Sequence, residues 1–230
     1  MNIAIIPARG GSKRIPRKNI KLFDGKPMLA HAISAARASG LFEHIVVSTD
    51  DEEIAAIARE WGGETPFVRP SELANDYTAT VPVIAHGIPA CRAQGWAFEH
   101  VCCIYPGVPF IQIEDLKRAL SLMVERGADY CFPVTEFPSA IQRALRRLDD
   151  GKMQPFYPQF ETTRTQDLEP AYHDAGQFYW GKTEAWLKNT RIHSSGIGYV
   201  IPNWRVVDID TPEDWFRAET VFKSISSLRS

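Results

Sequence analysis

The sequence predicts an α/β fold, a doubly wound and mostly parallel sheet with helices on both faces. Three observations predict it. Short apolar runs alternate with longer amphipathic stretches from the N-terminus to about residue 135. The runs at 3–6 and 101–105 are continuously apolar, as expected of strands buried on both faces. Glycines and acids fall where helices should stop and start.

Each element follows from local chemistry. Residues 3–6 form the first strand. A helix over 27–39 has Pro27 in its first turn and Gly40 as its stop. A second strand covers 44–48. The helix over 51–61 carries Asp51, Glu52 and Glu53 at its positive end and closes at Gly62-Gly63. A short third strand is expected at 65–68. The stretch 80–94 reads as helix, with Pro82 tolerable in the first turn and Pro89 expected to kink or break it. Strands follow at 101–105 and 130–135, separated by an amphipathic helix over 113–126 that ends at Gly127. The rhythm breaks between 138 and 172, a Pro-, Gln-, Thr- and Arg-rich stretch expected to form a functional arm or lid. Strands at 175–180, 197–201 and 205–207 and a closing helix over 212–228 complete a single domain, 1–230.

Composition narrows the function classes. Apolar residues make up 44% and charged residues 23%, enough for a packed core. A net charge of −2 argues against a general nucleic-acid binder, and no apolar run approaches the roughly twenty residues of a membrane span. The N-terminus lacks the layout of a signal peptide. Cys91, Cys102, Cys103 and Cys131 form no C-x-x-C pair, and adjacent Cys102 and Cys103 should face opposite sides of a strand. They read as reduced, mostly buried thiols of a cytoplasmic protein.

The positive charge is local. After Pro7 come Ala8, Gly10, Gly11 and Ser12 with six cations, Arg9, Lys13, Arg14, Arg17, Lys18 and Lys21, and no acid interrupts them. A strand feeding a basic Gly-Gly-Ser loop can cradle a polyphosphate, because glycine lets backbone N–H groups approach an anion. A solvated basic loop is the competing reading. The loop has neither a Walker A frame nor Gly-x-Gly-x-x-Gly, which excludes the P-loop and dinucleotide readings. In an open α/β sheet, however, the loop after the first strand lies on the ligand-binding rim.

The second feature is Val206-Val207-Asp208-Ile209-Asp210-Thr211-Pro212. Carboxylates two positions apart on an extended backbone share a face and suit Mg²⁺. The competing reading is helix capping by Asp210 or Thr211 ahead of Pro212, and both roles can coexist. A phosphate cradle with Asp-x-Asp suggests nucleotidyl transfer. Cations would hold the β- and γ-phosphates and a metal would span phosphate oxygens.

The motifs PARGGSKRIPRKN at 7–19, IVVSTDDEEIA at 45–55, RPSELANDYT at 69–78 and DIDTPEDW at 208–215 occur in an order that resembles the CMP-N-acetylneuraminate synthetase family. The stretch YHDAGQFYWG at 172–181 is similar to that family's pseudaminate branch rather than its sialate branch. The resemblance implies a Rossmann-like, GT-A-like nucleotidyltransferase. It would use CTP and Mg²⁺ to place CMP on an acidic nine-carbon sugar, pseudaminic acid, and release pyrophosphate. It also implies a homodimer whose 138–172 insertion helps form the dimer and the sugar pocket, with no nucleic-acid or membrane partner.

Position by position, the resemblance assigns Arg9, Ser12, Lys13, Lys18 and Asn19, with the Ala8-Gly10-Gly11 backbone, to the nucleotide. Arg9 and Lys18 join Asp208 and Asp210 as catalytic residues. Arg69, Asn75 and Asp76 fall near the base and ribose, and His173, Asp174 and Gln177 on the sugar side. His173 has a sugar-carboxylate or proton-transfer role open beside a structural one, and His31, His86 and His193 read as structural or surface residues. Thr49 or Asp50 is placed to cap the following helix or to touch ligand. Tyr105-Pro106-Gly107 departs from the small hydroxyl-bearing run usual after the fourth strand. This leaves two alternatives open: another acidic sugar (N-acetylneuraminic, legionaminic or 3-deoxy-octulosonic acid), and a catalytically weakened nucleotide-binding module.

Overall fold

The computed structural model describes residues 1–188 and 190–227. In chain order the strands are β1 (Asn2–Pro7), β2 (Leu22–Phe23), β3 (Lys26–Pro27), β4 (His44–Ser48), β5 (His100–Ile104), β6 (Tyr130–Glu136), β7 (Leu145–Arg147), β8 (Met153–Pro155), β9 (Tyr172–Asp174), β10 (Phe178–Lys182) and β11 (Gly196–Val200). The helices are α1 (Met28–Ser39), α2 (Glu52–Glu60), α3 (Thr80–Arg92), α4 (Ile113–Arg126), α5 (Thr183–Leu187), α6 (Ile192–Ser195) and α7 (Pro212–Ser227). The last residue of the expected closing helix, Leu228, lies outside the described residues.

A seven-stranded sheet runs β11-β6-β10-β5-β1-β4, with β9 beside β6. β1, β4 and β5 are mutually parallel, as are β6 and β11, while β9 and β10 run antiparallel to their neighbours. Alternation sends Ala4, Ile6, Val47 and Cys102 into one core and Ile3, Ile5, Val46 and Cys103 into another. The sheet is thus buried on both faces, and adjacent Cys102 and Cys103 face opposite sides as expected. All four cysteines are buried free thiols, and burial alone pushes Cys131 up to about 12. A third cluster of Phe23, Met28, Phe110, Ile209 and Trp215 seats α7 against the basic loop.

Three expectations are corrected. Residues 65–68 form no strand; one bridge, Val46 to Glu64, is the only pairing there before the chain leaves the sheet. Pro89 does not break α3, which runs to Arg92. Pro89 lies on the exposed face, where water can satisfy the carbonyl it frees, while Ile84, Ile88 and Cys91 anchor the buried face. Residues 205–207 are not a strand: a 3₁₀ turn at Asn203–Arg205 leads into irregular backbone. The 138–172 stretch holds the β7–β8 hairpin and three 3₁₀ turns.

Topology explains where the site falls. The carboxyl ends of β1, β4, β5 and β11 meet at one rim. Antiparallel β10 adds its amino end, residues 175–177, to the same rim, and Tyr105 N–H donates to the Gln177 carbonyl there at 2.9 Å. No described helix is long and apolar enough to cross a membrane.

Candidate active site

Two clefts share this rim. The first, about 350 Å³, is lined by Arg9, Ser12, Lys18, Asn19, Arg69, Asn75, Asp76 and Thr80 among others. The second, about 540 Å³, lies between the β9–β10 corner (His173, Asp174, Gly176) and the 206–210 segment with Asp208 and Asp210. Lys18, Tyr105 and Pro106 line both clefts, so the two meet at these residues.

The basic loop is shaped by hydrogen bonds. Asn19 is 4% exposed, and its side-chain amide donates to the Arg9 carbonyl at 2.9 Å. Gly10 N–H donates to the Asp50 carboxylate at 3.0 Å. A Cβ on Gly10 would stand 2.7 Å from an Asp51 carboxylate oxygen, so the loop packs onto the start of α2 only with glycine there. Ala8 is fully buried and donates its N–H to the Ser48 carbonyl. Gly11 has open space around it, and the Ser12 N–H bonds back to the Gly10 carbonyl at 3.0 Å.

Arg17 has a φ of +55°, unusual for a residue other than glycine. Its guanidinium bridges Asp51 and Glu53 and clamps the loop to α2. That contact holds the Asp51 carboxyl below the usual carboxylate range. Asp51, rather than Thr49 or Asp50, caps α2 by accepting from Ile54 N–H at 3.0 Å. Thr49 accepts from the Asp51 N–H, and Asp50 is committed to Gly10.

Charge in the first cleft is paired internally. Asp76 bridges Arg9 at 2.6 Å and Lys13 at 2.5 Å, and these contacts hold its carboxyl below the usual range. Asn75 shapes the same loop, donating to the Glu72 carbonyl and accepting from Tyr77 N–H. Arg69 is 4% exposed and donates to both the hydroxyl and the carbonyl of Ser48. Burial lowers Arg69 to about 10, which still leaves it charged at neutral pH.

The carboxylate pair stands differently. Thr211 and Asp214 form a reciprocal cap on α7: Asp214 N–H donates to Thr211 Oγ1 at 3.2 Å, and Thr211 N–H to Asp214 at 2.9 Å. Capping therefore does not consume the Asp-x-Asp pair. Asp210 accepts from Arg14 at 2.5 Å and Lys18 at 3.3 Å, and Lys18 Nζ also donates to the Ile209 carbonyl at 2.8 Å. Asp208 makes no hydrogen bond or ion pair among the described residues. Partial desolvation, then the Asp210 and Asp214 charges, push its carboxyl above the usual range against the pull of Lys18 and Arg14. No cluster of three or more potential ligands gathers among the described residues. An unpartnered carboxylate raised by partial desolvation and by like-charged neighbours fits Mg²⁺, which takes one or two carboxylates and completes its shell with water and phosphate oxygens.

On the sugar side, His173 and Asp174 line the second cleft, whereas Gln177 does not. Gln177 is 4% exposed and donates to the Arg205 carbonyl at 2.8 Å, holding the 203–210 segment. Asp115 grips the same Arg205 through its guanidinium, a contact between two side chains at most 12% exposed. In the sequence Tyr105 stands out only as part of a departure from pattern. Its hydroxyl bonds Thr80 Oγ1 at 2.6 Å and its ring lies 5.4 Å from that of Tyr179, so it walls both clefts. In the sequence Arg14 and Arg17 stand only within a run of six cations that no acid interrupts. The acids at the start of α2 and in 208–210 were the available signal for their pairing.

A cation-lined cleft that opens onto a carboxylate-edged one lies where open α/β sheets bind ligands, and its charges suit a nucleotide. The cytidylyltransferase family model matches residues 3–178. The chain belongs to the cytidylyltransferase family and is a nucleotidyltransferase. It is 41% identical over 225 residues to the pseudaminic acid cytidylyltransferase of Campylobacter jejuni, covering 96% of each chain. It is 31% identical to the CMP-N,N'-diacetyllegionaminic acid synthase of Legionella pneumophila, again over 96% of each. The solved structure of a CMP:2-keto-3-deoxy-manno-octonic acid synthetase complexed with CTP superposes with a TM-score of 0.70 at 16% identity, covering 97% of this chain and 98% of that one. At that identity the likeness speaks for the fold.

Proposed function

We propose that the chain transfers CMP from CTP to the anomeric hydroxyl of pseudaminic acid. The anomeric oxygen bonds to the α-phosphorus, the bond from that phosphorus to the bridging oxygen breaks, pyrophosphate leaves, and the hydroxyl proton is released. The observation that carries this reading is the junction of the two clefts at Lys18, which lines both. A cation there neutralises charge growing at an α-phosphate while the acceptor approaches from the second cleft. Arg9 and Lys13 would exchange Asp76 for the β- and γ-phosphates, and Ser12, Asn19 and Arg69 would shape the rest of the nucleotide site. Asp208, with Asp210, would hold Mg²⁺, which supplies charge neutralisation on phosphate oxygens.

The 41%-identical Campylobacter jejuni relative supports pseudaminic acid as the acceptor. The reaction is placed in the cytoplasm, consistent with four unpaired thiols. The arm over 138–172 is assigned to homodimer contact. Leu145, Met153, Phe156 and Tyr157 on it are 41–54% exposed, an apolar surface suited to a second copy. Light scattering of the chain with and without the β7–β8 hairpin tests the dimer.

The activity is tested by pyrophosphate release from CTP and Mg²⁺ with pseudaminic, N-acetylneuraminic and legionaminic acids in parallel. Release with pseudaminic acid alone is expected. Release with another sugar keeps the chemistry and overturns the acceptor. Silence with all three, despite CTP binding, leaves a nucleotide-binding module.

A further inference from the structure

Asp174 is held by more bonds than a turn residue needs. Its Oδ1 accepts from Gly176 N–H at 2.7 Å. Its Oδ2 accepts from the Tyr179 hydroxyl at 2.8 Å and lies 2.7 Å from His193 Nε2, which donates because an ionised carboxylate can only accept. These donors come from three places: the turn after β9, the second residue of β10, and α6. Phe132 on β6 backs the imidazole edge-on at 5.2 Å. A carboxylate offers about four acceptor sites, so three bonds fix its plane and leave one site open. Asp174 lines the second cleft and its side chain is 24% exposed there, so the open site is accessible.

The surrounding charge says what fills it. Asp174 stands on the wall contributed by β9, and Lys18 on the wall contributed by the N-terminal loop. The carboxylate of an acidic sugar is repelled by Asp174 and attracted by Lys18. Of the groups that an acidic sugar carries, its neutral N–H and O–H donors suit Asp174. Resting on the acidic-sugar reading above, we propose that Asp174 accepts a hydrogen bond from an amide N–H or hydroxyl of the acceptor, and that His193 is a positioning residue that aims it. The cleft then accepts an acidic sugar in one orientation, with its donor-bearing edge on Asp174. His193, which reads as a structural or surface residue in the sequence, acts on the acceptor through Asp174 without touching it.

The test is steady-state kinetics of the full-length protein, varying pseudaminic acid and CTP separately. His193→Ala removes one of the three donors and leaves the carboxylate held less firmly, by Gly176 N–H and the Tyr179 hydroxyl alone. The expected result is a rise of about tenfold in the KM for sugar, with the KM for CTP within twofold of wild type. His193→Gln, whose amide N–H can replace Nε2–H, should return the sugar KM to within threefold. Asp174→Asn should raise the sugar KM at least as far as His193→Ala does and leave CTP binding intact. An unchanged sugar KM in His193→Ala overturns the proposal. So does an equal rise in the alanine and glutamine variants, or a parallel rise in the KM for CTP, which marks general loosening. The His193 side chain is 68% exposed, so the alanine variant should fold, and its melting midpoint is read alongside. If it does melt early, the glutamine and Asp174→Asn variants decide. Should the wild type use legionaminic acid instead, the acceptor reading fails, while the same KM ratios measured with that sugar still judge Asp174 and His193.

Discussion

The two clefts differ in how their charges are paired. At the nucleotide cleft, Arg9 and, from outside its lining, Lys13 share one carboxylate, Asp76, more than sixty residues away in the chain. At the edge of the acceptor cleft, Asp208 has no partner of its own among the described residues, and partial desolvation, then its like-charged neighbours, raise its carboxyl. One cleft thus holds a replaceable anion on its cations, and the other a carboxylate that a cation would relieve. A magnesium-bound triphosphate brings both missing charges at once. Lys18 belongs to both clefts and is partly paired, with Asp210.

The largest effect should come from breaking the carboxylate side. Asp208→Asn should lower kcat about a thousandfold while CTP affinity changes by only a few-fold, read by pyrophosphate release and by calorimetry. Stability should move the other way. The raised carboxyl means the folded chain binds that proton more tightly than the unfolded chain does. Ionisation therefore costs stability as pH rises from the ordinary carboxylate range through the raised value. In thermal melts without metal, Asp208→Asn should lose that pH-dependent decline and melt no lower than wild type. Mg²⁺ with CTP should raise the midpoint of wild type more than that of the variant.

Lys18→Met strikes the junction and should lower kcat about a hundredfold, with smaller changes in both KM values. A comparable loss confined to the KM for CTP would make Lys18 a nucleotide anchor only and separate the clefts. Asp115→Ala lies outside both. It strands the Arg205 charge in a nearly buried place and should cost about 3 kcal/mol in urea unfolding. Activity should fall as the 203–210 segment loosens. Intact activity in a destabilised variant would show that Asp208 is positioned by α7 alone. The smallest effect belongs to the cation side: Asp76→Ala should tighten inorganic pyrophosphate binding a few-fold by removing a competing carboxylate. Weaker binding would instead show that Asp76 holds the cations in place for their anion.

The sequence carried the fold best where local chemistry decides structure. The helix over 113–126 was legible to the residue, because its apolar stripe and its stop at Gly127 are local signals. The 44–48 strand was equally legible. At 172–182 the strand expected over 175–180 was legible only in part: β10 spans Phe178–Lys182, and β9 and the direction of β10 were not. β10 inserts antiparallel between β5 and β6, a long-range pairing with no local mark. Candidate residues divide in the same way. Arg9, Lys18, Asp208 and His173 line the clefts or pair with residues that do, because a charge run and an Asp-x-Asp on a strand rim are readable patterns. Gln177 faces inward to Arg205, and His193 reaches Asp174 across 19 residues, contacts that only the folded sheet creates. The Asp210-or-Thr211 ambiguity also needed the structure. Thr211 and Asp214 satisfy the start of α7 between them and leave Asp208 and Asp210 to the cleft.

The contrast between the clefts is tested most directly by measuring CTP binding and CMP transfer to pseudaminic acid in the same wild-type samples across a magnesium titration that begins in chelator. Measurable CTP binding without magnesium is expected, through Arg9, Lys13 and Lys18, with transfer that appears only as magnesium is added. Full-rate transfer in chelator would contradict the role given to Asp208, and loss of all CTP binding in chelator would contradict the role given to the cations.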